Sequence, residues 1–369
     1  MDTQRKKYTV LLLSAPIGSG HKLAAEAIGE ILRQKADVEV IHGNIFDFFP
    51  GFLGRAFLRS YLWILSKCPW LYELAYKWGD KQGGSLWLRS LLNRLLAKLG
   101  SSFLNKVHPD AVIATHATPA GIMCYYKGRY PQLWLGAVVT DFTVHRWWLC
   151  EGVDTYFIAD ERLRSKITMT ANVQAFGIPV RQEFLQQDRE KNRCLYGWHS
   201  REKVCLLMGG GEGLLPMENI VQSLMQEKIP QLKIVAITGR NTKLAALLQK
   251  NYANNDNIEI YGFREDIPAM MSAADMVITK AGGLTSAEVL ASHVDFIIYK
   301  PLPGQEEGNA DFLKRFYHAQ VAKDVPSLIE AVKLLCGGDS GKIAKPVYEK
   351  ADAVEKICEY VIEKLNSKK

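Results

Sequence analysis

Short apolar runs recur along the chain and alternate with longer amphipathic stretches. Tyr8–Ser14 reads as a buried strand. A glycine turn follows, and 21–35 predicts a helix with Leu23, Ala27, Ile31 and Leu32 on one side. Further apolar runs at 38–41, 111–114, 135–140, 156–159 and 173–176 predict more strands. Strands alternating with helices imply a parallel sheet covered on both faces. The pattern pauses over 181–203, where Gln182, Gln186, Gln187, Asp188, Arg189, Glu190 and Lys191 make a polar stretch, read as a linker with a short helix. A second alternating series runs through 204–208, 234–238, Ile258–Tyr261, Met276–Thr279 and 296–299, and 345–365 is a final helix pattern. The expectation is two doubly wound α/β domains facing a central cleft. Residues 1–180 form the first, 204–344 the second, and the helix at 345–365 packs back on the first. Ligands in such folds sit beyond the carboxyl ends of the strands, where glycine turns feed helix N-termini.

Composition narrows the class. With 369 residues, 48% apolar and 23% charged, the chain is an ordinary globular protein of two domains at roughly 100–200 residues each. No apolar run approaches the roughly 20 residues that span a bilayer. The start reads as no secretory signal. Seven scattered cysteines without a C-x-x-C exclude a disulfide framework or zinc site and favour a reducing cytosol. Between Phe52 and Lys106 nine basic residues face two acidic ones, which equals the whole net charge of +7. Trp63, Trp70, Trp78 and Trp87 lie in the same window. A basic, aromatic segment in an otherwise neutral chain predicts a surface for an anionic partner, either membrane headgroups or nucleic acid.

Four glycine-containing clusters carry candidate chemistry. The first, Gly18-Ser19-Gly20-His21, joins the first strand to the first helix, and places a titratable imidazole beside N–H groups that favour an anion. The second, Gly209-Gly210-Gly211-Glu212-Gly213, follows the first strand of the second half. It fits neither the dinucleotide fingerprint nor a P-loop, but can wrap a phosphate or sugar. The third, Lys280-Ala281-Gly282-Gly283-Leu284-Thr285-Ser286-Ala287-Glu288, again opens a helix. Thr285 and free N–H groups suit a phosphate and Glu288 suits ribose hydroxyls, while T-x-x-E also reads as a capping box. The fourth, Pro303-Gly304-Gln305-Glu306-Glu307-Gly308-Asn309, groups amides and carboxylates fit for a polyhydroxylated ligand.

Taken in order, G-x-G-H, T-D-F with His145, G-I-P-V-R ending at Arg181, the turn at Gly209, Y-G-F at Phe263, K-A-G-G-L-T-x-x-E and P-G-Q-E-x-x-N resemble the monogalactosyldiacylglycerol synthase and processive diacylglycerol glucosyltransferase family. The resemblance covers 8–365. It implies a GT-B fold of two Rossmann-like domains and an inverting transfer of a hexose from UDP-glucose or UDP-galactose to diacylglycerol, with no cofactor and no obligatory metal. It further implies that Phe263 and Arg264 meet uracil, that Glu288 binds ribose, and that Gly282, Gly283, Leu284 and Thr285, with Arg181, meet the diphosphate. Gln305, Glu306 and Asn309 would grip the sugar. His21 and Asp141 would stand at the acceptor. Either could take the proton of the attacking hydroxyl; Asp141 is favoured as base, with His21 positioning the acceptor or the diphosphate. Ala281 departs from the proline many relatives carry, which should loosen the turn.

The basic segment has two readings. Over 85–99, Leu88, Leu91, Leu92, Leu95, Leu96 and Leu99 share one helical arc, with Arg89, Ser90, Asn93, Arg94 and Lys98 on the other. The leucines either pack on the core or enter an anionic membrane surface, with Trp63, Trp70, Trp78, Trp87, Arg89, Arg94 and Lys98 as the contacting set. A diacylglycerol acceptor favours the membrane and a cytoplasmic enzyme bound peripherally to the inner face of the cell membrane, with no nucleic-acid partner. The alternatives are a GlcNAc transferase acting on a polyprenyl-diphosphate lipid, a UDP-GlcNAc 2-epimerase and a non-catalytic UDP-sugar sensor.

Overall fold

The computed structural model describes residues 8–15, 20–48, 84–210, 215–337, 348 and 350–367. Gly18, Ser19, Gly211, Trp63, Trp70 and Trp78 lie outside these residues, and of Trp87 only the backbone is described. The chain divides into two compact units, 1–181 with 350–369, and 182–349.

The first unit holds strands β1 (Tyr8–Ser14), β2 (Val38–Asn44), β3 (Ala111–Ala114), β4 (Trp134–Val138), β5 (Thr155–Phe157) and β6 (Asn172–Gln174) in one parallel sheet, in the order β2-β1-β3-β4-β5-β6. Strands β1, β3 and β4 are near-continuous apolar runs because both faces of a parallel sheet are covered. Helices α1 (Gly20–Lys35), α2 (Gly84–Val107) and α3 (Ala117–Lys127) connect them. The C-terminal helix of the chain, Ala353–Asn366, packs on α1 through Val354, Ile357, Cys358, Val361 and Leu365, which join Ile28, Leu32 and Ile113 in one core.

In the second unit, helix α4 (Arg189–Tyr196) precedes strand β7 (Lys203–Met208). The polar stretch read as a linker is built into this unit. Asp275 accepts from Arg189, Arg193 and the Val204 backbone, so the short helix is fastened to the amino end of the sheet's middle by a shared carboxylate. Strands β8 (Leu232–Ile237), β9 (Ile258–Tyr261), β10 (Met276–Thr279), β11 (Asp295–Tyr299) and β12 (Gln320–Ala322) complete a parallel sheet of order β12-β11-β10-β7-β8-β9. Helices α5 (Met217–Gln226), α6 (Thr242–Asn251), α7 (Ile267–Ala273), α8 (Gly283–Ala291), α9 (Gln305–Tyr317) and α10 (Val325–Cys336) link them, so Ala353–Asn366 is α11. The sequence reading missed β12, whose three residues carry too little pattern.

Each sheet reverses its strand order once, between β1 and β3 in the first and between β7 and β10 in the second. Loops leaving neighbouring strands diverge at such a point and open a crevice at the carboxyl ends. His21 follows β1, and Gly282 follows β10.

Candidate active site

In the first unit three strand ends converge on His21. Its Nδ1 lies 2.9 Å from the Thr115 carbonyl, just past β3, and 2.8 Å from Oγ1 of Thr140, just past β4. A carbonyl can only accept, so Nδ1 carries the proton and the lone pair is on Nε2. The Thr140 hydroxyl then accepts from Nδ1 and donates to the same carbonyl at 3.3 Å. Thr115 returns a bond from its own hydroxyl to the His21 carbonyl at 2.9 Å. The ring is thus held in one tautomer and one orientation. Burial pulls the His21 pKa down from its ordinary value, and the neighbouring Asp141 carboxylate pushes it back up. Asp141 is itself buried.

His116 stands edge-on to His21, ring centroids 4.7 Å apart. Its Nδ1 accepts the Thr118 N–H at 3.1 Å and caps α3. Burial, and then the charge of His21, hold its pKa well below the usual histidine range, so His116 is neutral at physiological pH. Thr115 and His116 were not singled out in the sequence. The available signal was a polar T-H pair at the end of an apolar run, meaningful only once β3 is known to adjoin β1. His145 caps the short turn Arg146–Trp148, accepting the Trp147 N–H at 3.2 Å.

In the second unit the glycine turn after β10 opens α8. Gly282 is the capping residue, and Gly283, Leu284 and Thr285 form the first turn. Their N–H groups precede the first internal bond, from Ser286 N to the Gly282 carbonyl at 2.9 Å, so they are the anion-facing donors of a helix start. Thr285 therefore sits inside the helix, and T-x-x-E is not a capping box here. Glu288 is buried one turn on. The loop is not loose at Ala281, which is fully buried and has its carbonyl held by Nδ2 of Asn309 at 2.9 Å. Asn309 thus braces the donor turn from α9.

Glu306 turns one carboxylate oxygen to the Leu302 N–H at 2.8 Å and lies 3.8 Å from Nζ of Lys280. Gly304 adopts φ 93°, a left-handed value that explains glycine there. Gly210, after β7 and Gly209, also has positive φ, 73°. Phe263 is 58% exposed with the Arg240 guanidinium 5.8 Å from its ring, and Arg264 is paired with Asp266. Gln305, Glu306 and Asn309 gather at the start of α9, and Thr285 and Glu288 on α8. Arg181 closes the first unit and so is not grouped with them inside the second.

In the helix of the basic segment, three leucines of the arc stand outside the core. In α2, Leu91, Leu95 and Leu99 are 55%, 53% and 43% exposed, while Asn93, Ala97, Gly100 and Leu104 face the core. Small residues explain the choice. A side chain at Gly100 would strike the Phe48 ring at 2.7 Å, and one at Gly121 of α3 would overlap the Asn93 amide. Close helix contact uses the small face and leaves Leu91, Leu95 and Leu99 outside. Arg94 and Lys98 are exposed on the side adjoining them. Arg89, counted with the surface cations, instead donates to the Arg146 and Leu149 carbonyls, each at 3.0 Å. Among the described residues no helix is long and apolar enough to cross a membrane, and no cluster of three or more His, Cys, Asp or Glu could hold a metal.

Comparison with known proteins bears on both units. The family model for monogalactosyldiacylglycerol (MGDG) synthase matches residues 21–180, and that for the glycosyltransferase family 28 C-terminal domain matches 204–324. The chain is 30% identical to a processive diacylglycerol beta-glucosyltransferase of Bacillus cereus (strain B4264), over 90% of this chain and 87% of that protein. It is 29% identical to the protein of the same name from Bacillus subtilis (strain 168), over 91% and 88%. Among solved structures it resembles MurG of Acinetobacter baumannii, with TM-score 0.62 and 15% identity over 96% of this chain and 99% of that one. The fold of UGT2 of Phytolacca americana is similar, with TM-score 0.63 and 13% identity over 97% and 100%. These likenesses agree with the two Rossmann-like sheets of a GT-B fold. The chain belongs to the monogalactosyldiacylglycerol synthase and processive diacylglycerol glucosyltransferase family, within glycosyltransferase family 28, and is a glycosyltransferase.

Proposed function

We propose that this enzyme moves glucose from UDP-glucose to diacylglycerol at an anionic membrane surface, with inversion at C1, forming a β-glycosyldiacylglycerol. The observation that carries the reading is the His21 site. A histidine with Nδ1 fixed on a carbonyl presents Nε2 as a base, and the adjacent Asp141 carboxylate favours the imidazolium that forms. His21 is therefore the base, in place of the Asp141 assignment drawn from sequence, and Asp141 supports it. Nε2 takes the proton of the acceptor hydroxyl while its oxygen attacks C1 of the sugar. The C1–O bond to UDP breaks, and the leaving diphosphate gains charge. N–H groups of Gly283, Leu284 and Thr285 at the start of α8 stabilise that charge. Glu288 accepts from ribose hydroxyls. Gln305 and Glu306 hold the sugar, with Asn309 bracing the turn at Ala281 that precedes α8.

Glucose is favoured because the curated relatives named above are glucosyltransferases. Docking at the inner face of the cell membrane is assigned to the exposed Leu91, Leu95 and Leu99, with Arg94 and Lys98 beside them for anionic headgroups. The test is UDP release with diacylglycerol in mixed micelles, offering UDP-glucose, UDP-galactose and UDP-GlcNAc in parallel. Lipid-dependent turnover with UDP-glucose is expected. Turnover with UDP-GlcNAc alone, on a polyprenyl-diphosphate lipid, overturns the reading.

A further inference from the structure

The segment after β4 carries Asp141 and His145 and ends at Cys150. It is fastened from two sides. On the sheet side, the buried Tyr156 of β5 places its hydroxyl 2.9 Å from the Trp148 carbonyl and accepts the Cys150 N–H at 3.0 Å. On the helix side, the Arg89 guanidinium reaches both ends of the short turn Arg146–Trp148. One terminal nitrogen donates to the Arg146 carbonyl, the other to the Leu149 carbonyl. The Arg146 carbonyl also receives the Leu149 N–H at 3.0 Å, so the guanidinium closes a turn that His145 opens as its cap.

Arg89 belongs to α2, the helix that leaves Leu91, Leu95 and Leu99 in solvent. Going round the helix, it lies toward the buried face, while Arg94 and Lys98 adjoin the leucines. One helix thus meets the surroundings on one face and the acceptor loop on the other. We infer that Arg89 is a positioning residue, which couples membrane engagement of α2 to the geometry of the loop that carries Asp141 and His145. This rests on the membrane-surface reading above and adds to it that docking sets turnover as well as location.

The planar fork matters to the argument. Two carbonyls at either end of one turn are matched by two nitrogens in a fixed plane, and a lysine ammonium offers a point charge without that geometry. Arg89→Lys keeps the charge and removes the fork, and Arg89→Met keeps the bulk and removes both. Three quantities are measured on each purified protein. These are binding to phosphatidylglycerol vesicles, kcat and the KM for UDP-glucose with diacylglycerol in mixed micelles, and hydrogen exchange of the amides at 146–150 with and without vesicles.

For Arg89→Lys we expect vesicle binding and KM for UDP-glucose within about twofold of wild type, and kcat lower by about tenfold or more, as for a misplaced catalytic loop. Exchange at 146–150 should rise by about tenfold, and vesicles should slow it in the wild type only. Arg89→Met should match the lysine variant in kcat and exchange. Wild-type kcat and exchange in Arg89→Lys overturn the proposal. So does a loss of kcat that tracks a loss of vesicle binding, which would make Arg89 a surface cation only. A wild-type protein that ignores the vesicles sinks the membrane reading and the coupling with it, while the exchange comparison without vesicles still decides the clamp.

Discussion

The starts of α1 and α8 stand at equivalent places, each beside the point where its sheet reverses, yet they are built differently. At α1 the chemistry is in a side chain. His21 is locked by Thr115 and Thr140, just past the ends of two other strands, and tuned by burial against Asp141. At α8 the groups on offer are mostly backbone N–H, and the neighbouring Asn309 donates from its amide to the Ala281 carbonyl. A proton must be taken by a group that changes charge, which backbone cannot do. A diphosphate must be met by donors that do not change charge, which a helix start supplies. The comparison predicts that substitutions at α1 act on kcat and those at α8 act on donor affinity.

The largest effect should come from His21→Ala. Loss of a general base costs about 10²–10⁴-fold, so kcat should fall by about a thousandfold while UDP affinity stays within about twofold. A matching loss of UDP affinity, read by titration calorimetry, would erase the division between the two turns.

Asp141→Asn comes next, with kcat lower on the order of a hundredfold, because the imidazolium that forms loses the adjacent carboxylate that favours it. The pH profile gives the sign. The base works when neutral, and burial already lowers the His21 pKa, so activity should persist as pH falls below the ordinary histidine value and be lost through the lowered one. Asp141 raises that pKa, and removing its charge should move the acidic limb to still lower pH. Loss of the acidic limb altogether would mean that Asp141, not His21, is the titrating base, because an amide does not titrate.

How much of this was legible in the sequence follows the same division. Buried parallel strands announce themselves as apolar runs, and glycines announce helix starts, so the starts of α1 and α8 were both found. Asn309 was read as a sugar ligand because spacing shows that it begins a helix, not that its amide reaches back to Ala281. Thr115 and His116 escaped because their meaning comes from strand pairing, Leu12 beside Ile113 and Leu13 beside Ala114, which residue patterns do not reveal. The leucine arc of α2 was seen, but an arc reports a division and not which side is inward. The small residues Ala97 and Gly100, with Asn93 seated against Gly121, decided that.

Gly282→Ala sharpens the α8 half. The residue has an ordinary φ of −68°, and an added Cβ would meet nothing within 4 Å. Loss of a capping glycine should cost at most about 1 kcal/mol of stability. If the backbone must come close to a phosphate, UDP affinity should fall by about tenfold all the same, since the only thing the methyl can strike is the ligand. Unchanged affinity would move the diphosphate elsewhere.

The smallest effect is expected at Thr285, and it is the one that bears hardest on the comparison. Its hydroxyl is one donor among several at a helix start whose N–H groups remain in Thr285→Ala. A single neutral hydrogen bond is worth about 0.5–1.5 kcal/mol net, so UDP affinity should weaken roughly two- to tenfold, with kcat at saturating donor nearly unchanged. Removing the hydroxyl in the same way at Thr140 should act through His21, on kcat and its pH limb, because that hydroxyl accepts a hydrogen bond from Nδ1 and helps to hold the ring. If Thr285→Ala lowered kcat as His21→Ala does, with donor binding intact, the helix start would be acting in the chemical step through a side chain. The contrast between a side-chain turn and a backbone turn would then be wrong at its simplest point.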